Sequence, residues 1–318
     1  MCALFGWLDC GKKLPHKSLK KLTQELANAA EERGTDASGI SYVKNHSIHI
    51  YKKPKPAHKM KFNFPEGTTA IMGHTRLTTQ GNQKFNFNNH PFYGKADKSF
   101  AFAHNGVLYN DTTLRREKQL PKTYIETDSY VAVQLIEKQK RLDFESLKSM
   151  AEDVQGNFTF TILDEDNKLY FVKGSSPMFL IHFEEFGLFA YASTESIMIK
   201  ALKKSGLFKD KYTKITLNEG DIISIDKNGK IEVSEFETFS YLSDYRYTSC
   251  FGCHEELLLE ICSGFGVSEE DVMQLLDFGY TADDIEEMLM DTDLLHETLD
   301  DIRQMNEFED IWEYCKKA

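Results

Sequence analysis

Residues 2–8, CALFGWL, form an apolar run of strand length, after which Leu19, Leu22, Leu26 and Ala29 recur at helical spacing up to Arg33-Gly34. The pattern predicts a strand followed by an amphipathic helix. Short apolar or β-branched runs follow at 38–43, 46–51, 68–73 and 99–104, each bounded by turn residues, while 126–138 and 143–151 return to helical spacing. Four further runs, FTFTIL, KLYFV, MFLIHF and GLFAYAS, precede a predicted helix at 195–204. IISID and KIEVSEF then close the series across Lys227-Asn228-Gly229-Lys230, and Asn-Gly between two apolar runs is a strong hairpin signal. About ten strands interrupted by few helices predict antiparallel sheets packed with helices rather than βαβ units.

From about residue 250 the texture changes to helical spacing crowded with Glu and Asp, with Ser268 and Thr281 placed as N-caps. Charge follows the same division. Residues 250–318 hold 20 Asp and Glu against Arg303, Lys316 and Lys317, a net charge of −17, so residues 1–249 carry +5 of the overall −12. Two units are therefore expected, 1–247 and an acidic all-helical unit at 248–318. The stretch Lys52-Lys53-Pro54-Lys55-Pro56 reads as a solvated basic loop, because no aromatic interleaving supports nucleic-acid binding. No run approaches the ~18 apolar residues of a membrane span. No basic segment precedes the N-terminal apolar stretch, so a cytoplasmic chain with no membrane association is expected. The six cysteines are then read as reduced thiols.

Cys2 becomes chemically special if Met1 is removed, since one residue then owns a thiol and a free α-amine. An α-amine ordinarily titrates at about pH 8, so it is partly unprotonated at neutral pH and can serve as base for its own side chain. Three other segments offer complementary groups. In His104-Asn105-Gly106, read as following a strand, Asn105 supplies a side-chain NH2 and Gly106 an unobstructed backbone N–H, the donors an oxyanion needs, although Asn-Gly is equally ordinary turn chemistry. Arg76, in GHTRLTTQG just beyond the run at 68–73, can fork onto a carboxylate or simply form a surface ion pair. Asp128 opens a predicted helix and can cap it or receive an ammonium. Together Arg76 and Asp128 would hold the two charged ends of an α-amino acid.

In order and spacing these segments resemble the class II glutamine amidotransferases, whose glutaminase domains are N-terminal-nucleophile hydrolases. The resemblance runs from Cys2 to about residue 235 and rests on Cys2 with Phe5-Gly6; RGTDASG at 33–39; GHTRLTTQG; Asn89-His90-Pro91-Phe92; HNG; and Glu126-Thr127-Asp128-Ser129. Gly174-Ser175-Ser176-Pro177, Ala192-Ser193-Thr194-Glu195 and Glu219-Gly220-Asp221 add weaker matches. By motif the chain is most similar to the glutaminase domain of glucosamine-6-phosphate synthases. The resemblance implies an α+β fold, a four-layer αββα sandwich. It also implies hydrolysis of the L-glutamine side-chain amide through a γ-glutamyl thioester on Cys2. Asn105 and Gly106 would form the oxyanion hole, Arg76 would bind the α-carboxylate and Asp128 the α-ammonium, and Thr79 with Gly106 would frame the pocket. Arg33, Asp36, His74 and His90 would support the site. Thr35, Leu77 and Gln80 depart from residues common in the family, without removing a chemical role.

His74, His90 and His104 invite a metal reading that the resemblance replaces with structural hydrogen bonding, so neither metal nor cofactor is expected. Cys250-Phe251-Gly252-Cys253-His254 is half a zinc site whose completion by Cys262 or Cys315 would need irregular spacing. Leu275-Leu276-Asp277-Phe278-Gly279-Tyr280 and the following helix are loosely similar to a ubiquitin-associated-type three-helix fold. No acceptor-domain segment is evident, so the ammonia is expected to pass to a separate accepting enzyme or to water, and a partner protein could dock on the acidic unit. Two other readings stay open: a catalytically silent glutamine-binding scaffold, and an N-terminal-nucleophile amidase for another amide.

Overall fold

A computed structural model of the chain describes residues 2–238 and, further on, 258–259, 262–263, 265–280, 282–289, 294–296, 298–300 and 302–303. The chain divides into two compact units, Met1–Thr238 and Phe239–Ala318.

In the first unit one sheet contains β1 (Ala3–Asp9), β2 (Ala37–Lys44), β3 (Ser47–Lys53), β4 (Ala70–Arg76), β9 (Phe179–Phe183), β10 (Leu188–Ala192) and β11 (Thr213–Ile215), in the order β11-β9-β10-β1-β4-β2-β3. The other contains β5 (Phe92–Lys95), β6 (Ser99–Leu108), β7 (Gly156–Asp164), β8 (Leu169–Lys173), β12 (Asp221–Ile225) and β13 (Ile231–Glu235), in the order β13-β12-β8-β7-β6-β5. Every pairing is antiparallel.

Side chains alternate across a strand, and here the alternation separates three cores. Ala3, Phe5 and Trp7 pack with α1 (His16–Ala30) and α5 (Glu195–Ser205) on the outside of the first sheet. Leu4 and Leu8 turn the other way, to meet Ala101, Ala103, Leu163 and Phe171 from the second sheet. The outer face of that second sheet, with Phe100, Phe102 and Phe160, is covered by α2 (Asp111–Glu117), α3 (Tyr130–Gln139) and α4 (Phe144–Asp153). The result is helix, sheet, sheet, helix, the expected αββα sandwich. Trp7 is fully buried and its indole N–H donates to Thr23 Oγ1 at 2.8 Å, which ties the first sheet to α1; truncating such a side chain costs ~3–5 kcal/mol.

Four local expectations need correcting. His104-Asn105-Gly106 does not follow a strand but lies within β6, paired with β7 as His104↔Phe160 and Gly106↔Phe158. Gly73–Arg76 likewise belongs to β4. Both strands outlast their apolar runs, because the backbone ladder continues where the inward residues turn polar. The helix expected from 126 starts at Tyr130, leaving Asp128 in the preceding turn. Lys52 and Lys53 are strand residues of β3 rather than part of a solvated loop, and Lys52 is half-buried. The short elements β5, β11 and α2 had no periodic signal long enough to predict them.

The second unit has its own core among the described residues, built from Leu258, Cys262, Val272, Leu275, Ile285, Leu289, Leu295, Leu299 and Ile302. Its α6 (Glu269–Phe278) is capped by Ser268, whose Oγ accepts the Asp271 N–H at 3.2 Å, and ends at Gly279 with φ +108°. α7 (Ala282–Leu289) follows. Thr281, residues 247 and 248, and the Cys250–His254 cluster lie outside the described residues. Among the described residues no helix is long and apolar enough to cross a membrane.

Candidate active site

The parity that places Leu4 and Leu8 between the sheets carries Cys2 to the same side, one step beyond β1. In β4, Ala70 and Met72 face the intersheet core, so His74 and Arg76 continue that face. In β6 the inward row is Ala101, Ala103, then Asn105. Three strands with fixed register therefore place Cys2, His74, Arg76 and Asn105 in one layer, and all four are buried.

The Cys2 thiol donates weakly to the Leu77 carbonyl at 3.5 Å, and the Cys2 carbonyl accepts from Arg33 Nε at 2.9 Å. Arg33 thus holds the main chain of Cys2 from the end of α1. Gly34 passes against β4 so closely that a Cβ there would sit 2.4 Å from the Arg76 carbonyl carbon. Asp36 fixes the stretch after β4 at two points: its N–H donates to the Arg76 carbonyl at 2.9 Å, and its Oδ2 accepts the Thr78 N–H at 2.8 Å. Arg76 donates to Asn89 Oδ1 at 2.7 Å and to the carbonyls of Gln80 at 2.5 Å and Gly81 at 3.1 Å. Thr79 is exposed on the loop that Arg76 holds.

Asn105 is fully buried, yet neither its Oδ1 nor its Nδ2 has a hydrogen-bond partner. A buried unsatisfied amide costs ~1–3 kcal/mol, and the orphaned donor faces the layer of the thiol. The next residue can only be glycine: Gly106 has φ +142°, and a Cβ would lie 1.8 Å from the Asn157 carbonyl oxygen. Beyond it, Asp128 Oδ2 accepts the Leu108 N–H at 2.7 Å and Oδ1 accepts from the Ser129 hydroxyl at 3.2 Å. Asp128 is thereby locked beside the end of β6, where it caps a strand rather than the helix.

Burial pushes the Cys2 thiol up; the Leu77 hydrogen bond and the Arg76 charge pull it back without cancelling the effect. The nucleophile candidate is accordingly a protonated thiol at neutral pH. Behind it, His74 Nε2 contacts the His104 carbonyl at 2.8 Å, His104 Nδ1 contacts Ser129 Oγ at 2.8 Å, and the His74 and His90 rings lie 4.2 Å apart. Burial lowers the pKa of all three, that of His74 to about 3, so they are neutral; His74 and His104 hydrogen-bond, while His90 packs with neither ring nitrogen partnered. Among the described residues no group of three or more His, Cys, Asp or Glu is placed to hold a metal ion.

Sequence reasoning assigned no role to three residues of this neighbourhood. Asn89 links Arg76 to the 82–89 segment, with Nδ2 donating to the Gln83 carbonyl at 2.8 Å. Ser129 orients His104. Lys52 reaches toward Arg76, and the alternation Ile48, Ile50, Lys52 was the available signal for it.

Comparison with known proteins fits this geometry. Residues 74–200 match the family described as "Glutamine amidotransferase domain". A glutamine–fructose-6-phosphate aminotransferase of Fusobacterium nucleatum is 28% identical over 238 residues, covering 72% of this chain and 36% of the relative. An amidophosphoribosyltransferase of Staphylococcus aureus is 38% identical over 173 residues, 52% of this chain and 34% of the relative. A 7-cyano-7-deazaguanine synthase of Sulfurisphaera tokodaii is 25% identical over 229 residues, 69% of this chain and 49% of the relative. The chain thus spans between a third and a half of these relatives' lengths. In fold it resembles the glutamine phosphoribosylpyrophosphate amidotransferase of B. subtilis, with a TM-score of 0.57 at 19% identity over 75% of this chain and 50% of the other.

Proposed function

We propose, for a chain that carries a glutamine amidotransferase domain of the class II, N-terminal-nucleophile kind, that it hydrolyses the side-chain amide of L-glutamine through a thioester on Cys2 and delivers ammonia to an acceptor. The observation that carries the reading is the orphaned, fully buried Asn105 amide in the same intersheet layer as the buried Cys2 thiol and Arg76. A protein retains an unsatisfied buried donor at a stability cost where a ligand completes it.

Loss of Met1 gives Cys2 a free amine. Because burial keeps the thiol protonated, a base is required, and that amine takes the proton as sulfur attacks the amide carbon. The negative charge developing on the carbonyl oxygen is met by Asn105 Nδ2 and the Gly106 N–H, donors fixed in advance by the β6 ladder. The protonated amine returns its proton to the departing nitrogen. Ammonia leaves, and water attacks the thioester to release glutamate and regenerate the thiol. Arg76 receives the α-carboxylate and Asp128 the α-ammonium, with Thr79 and Gly106 at the pocket wall. Arg33 and Asp36 hold the Cys2 main chain and the loop after β4, while His74 and His90 pack behind. The ammonia passes to an accepting enzyme or to water in this reading, and the acidic 248–318 unit is read as a docking element for a partner.

Mass spectrometry after incubation with a glutamine-analogue chloroketone tests the reading. The expected product lacks Met1 and carries one adduct on Cys2, whose formation excess L-glutamine suppresses. Full glutaminase turnover by a protein with a non-removable N-terminal extension would overturn it.

A further inference from the structure

Lys52 is a cation with no part in the chemistry above. Ile48 and Ile50 of β3 pack into the intersheet core while Tyr51 turns to the α1 side, so Lys52 enters the layer of Arg76. Its ammonium donates to the Asn89 carbonyl and to the Pro91 carbonyl, the latter at 2.9 Å, and lies 5.0 Å from the centre of the Phe92 ring. Asn89 joins the two cations: its backbone oxygen accepts from Lys52 and its side-chain oxygen from Arg76 at 2.7 Å. Among the described residues neither cation has a carboxylate within ion-pair distance, and the charge that Lys52 feels is that of Arg76. The half-buried Lys52 ammonium is held by carbonyl dipoles and a ring face, whereas the buried Arg76 also feels the carboxylates of Asp128, Asp36 and Glu126 from beyond ion-pair distance, so compensation is thinnest on the Lys52 side. An anion arriving beside them would gain from both, in a medium less screening than water.

We propose that Lys52 is a positioning and charge-supplying residue of the carboxylate clamp: through Asn89 it fixes the Arg76 guanidinium, and its ammonium adds a second positive charge to the place that receives the α-carboxylate of glutamine. The inference rests on the reading of Arg76 as the carboxylate site.

It has a pH signature. Burial first, and the Arg76 charge second, bring the Lys52 pKa down to about 8. The groups facing it are Arg76 and the neutral imidazoles of His74 and His90, and none supplies negative charge. A bound carboxylate favours the ammonium and raises that pKa, so affinity is full below pH 8 and declines above it.

The test is calorimetric titration of the full chain carrying Cys2→Ala with L-glutamine between pH 6.5 and 9.5. Adding Lys52→Met should weaken binding roughly 10–100-fold at pH 7, the range of a charge-assisted contact, and remove the part of the decline above pH 8 that is not shared with deprotonation of the glutamine α-ammonium. Lys52→Arg should restore affinity and lose the extra decline that begins near pH 8, leaving only the decline common to all variants as the glutamine α-ammonium deprotonates, because guanidinium does not deprotonate there. Glutamine methyl ester, which lacks the carboxylate charge, should bind independently of residue 52. With Cys2 intact, Lys52→Met should raise KM far more than it lowers kcat. Equal affinity in folded Lys52→Met and its parent would overturn the inference, as would a folded Lys52→Arg no better than Lys52→Met. Should Lys52→Met fail to fold, the Lys52→Arg profile decides, and a decline above pH 8 identical to the parent's overturns the idea. Glutamine binding that depends on Lys52 in a Cys2-intact protein without turnover would leave the inference standing and sink the glutaminase reading. No binding at any pH would sink the clamp itself.

Discussion

The space between the two sheets is one layer with two contrasting ends. Toward one end Leu8, Leu163, Leu169, Phe171, Phe189, Ile223 and Ile225 fill it with hydrocarbon. Toward the other, β4, β6 and the residue before β1 present His74, Arg76, Asn105 and Cys2, joined from the sheet edge by Lys52. Backbone pairing does not change between them: β6 stays paired to β7 from Phe100↔Asp164 through Leu108↔Gly156. What changes is only the chemistry of every second residue. The apolar end supplies burial energy and fixes the register; the polar end inherits that register at a cost in unsatisfied groups. Under the proposed function, stability and reactivity fall to opposite ends of the same layer.

Substitutions at each end should therefore fail in different assays. The largest effect belongs to Cys2→Ala, which should abolish glutamine hydrolysis, measured as ammonia release, without lowering the melting temperature; residual turnover above one part in a thousand would contradict the assignment. Asn105→Ala should reduce kcat by about 10²–10³ if it supplies an oxyanion donor. It should leave stability unchanged or raised, since it removes an orphaned buried amide. A fall in stability with kcat intact would reverse the comparison. At the apolar end Phe171→Ala should cost ~3–5 kcal/mol in denaturant unfolding and leave the KM for glutamine unaltered wherever the protein stays folded. Arg76→Gln and Asp128→Asn should raise KM more than they lower kcat, because both hold charges remote from the scissile amide; the opposite split would place them in the chemical step.

A smaller and graded effect concerns acid. His74, His90 and His104 are held neutral by burial, with folded pKa values below the unfolded value near 6.5. Below that pH the unfolded chain binds protons that the folded one does not, so stability falls as pH drops, by about 1.4 kcal/mol per pH unit for each such histidine. Denaturant midpoints between pH 7 and 5 should show the slope, and His90→Gln should reduce it. A midpoint constant over that range would mean the imidazoles are not buried in solution.

Much of this was legible in the primary structure, for a physical reason. Leu19, Leu22 and Leu26 announce α1 because a packed helix repeats its apolar face, and the motif segments around Cys2, Arg76, Asn105 and Asp128 carry their chemistry in their side chains. The true ends of β4 and β6 were hidden because hydrophobicity reports burial against apolar neighbours, whereas a strand is maintained by its ladder. Lys52 was hidden for the same reason. A lysine following Ile48 and Ile50 reads as a return to solvent, until the tertiary fold brings the carbonyls of Asn89 and Pro91 to meet its ammonium.

Among the described residues the two sheets end in four strands, β3, β5, β11 and β13, beyond whose outer rims no further strand is paired. Each displays an exposed charge: Lys53 on β3, Lys95 on β5, Lys214 on β11, and Glu235 on β13. An open rim is a template onto which another chain can add a strand, and a charged side chain on it must be stripped of water before that happens. Two molecules approaching through the same rim would also bring like charges together. The sandwich therefore carries at its margins a resistance to strand-by-strand polymerisation that neither its core nor its reactive end could supply.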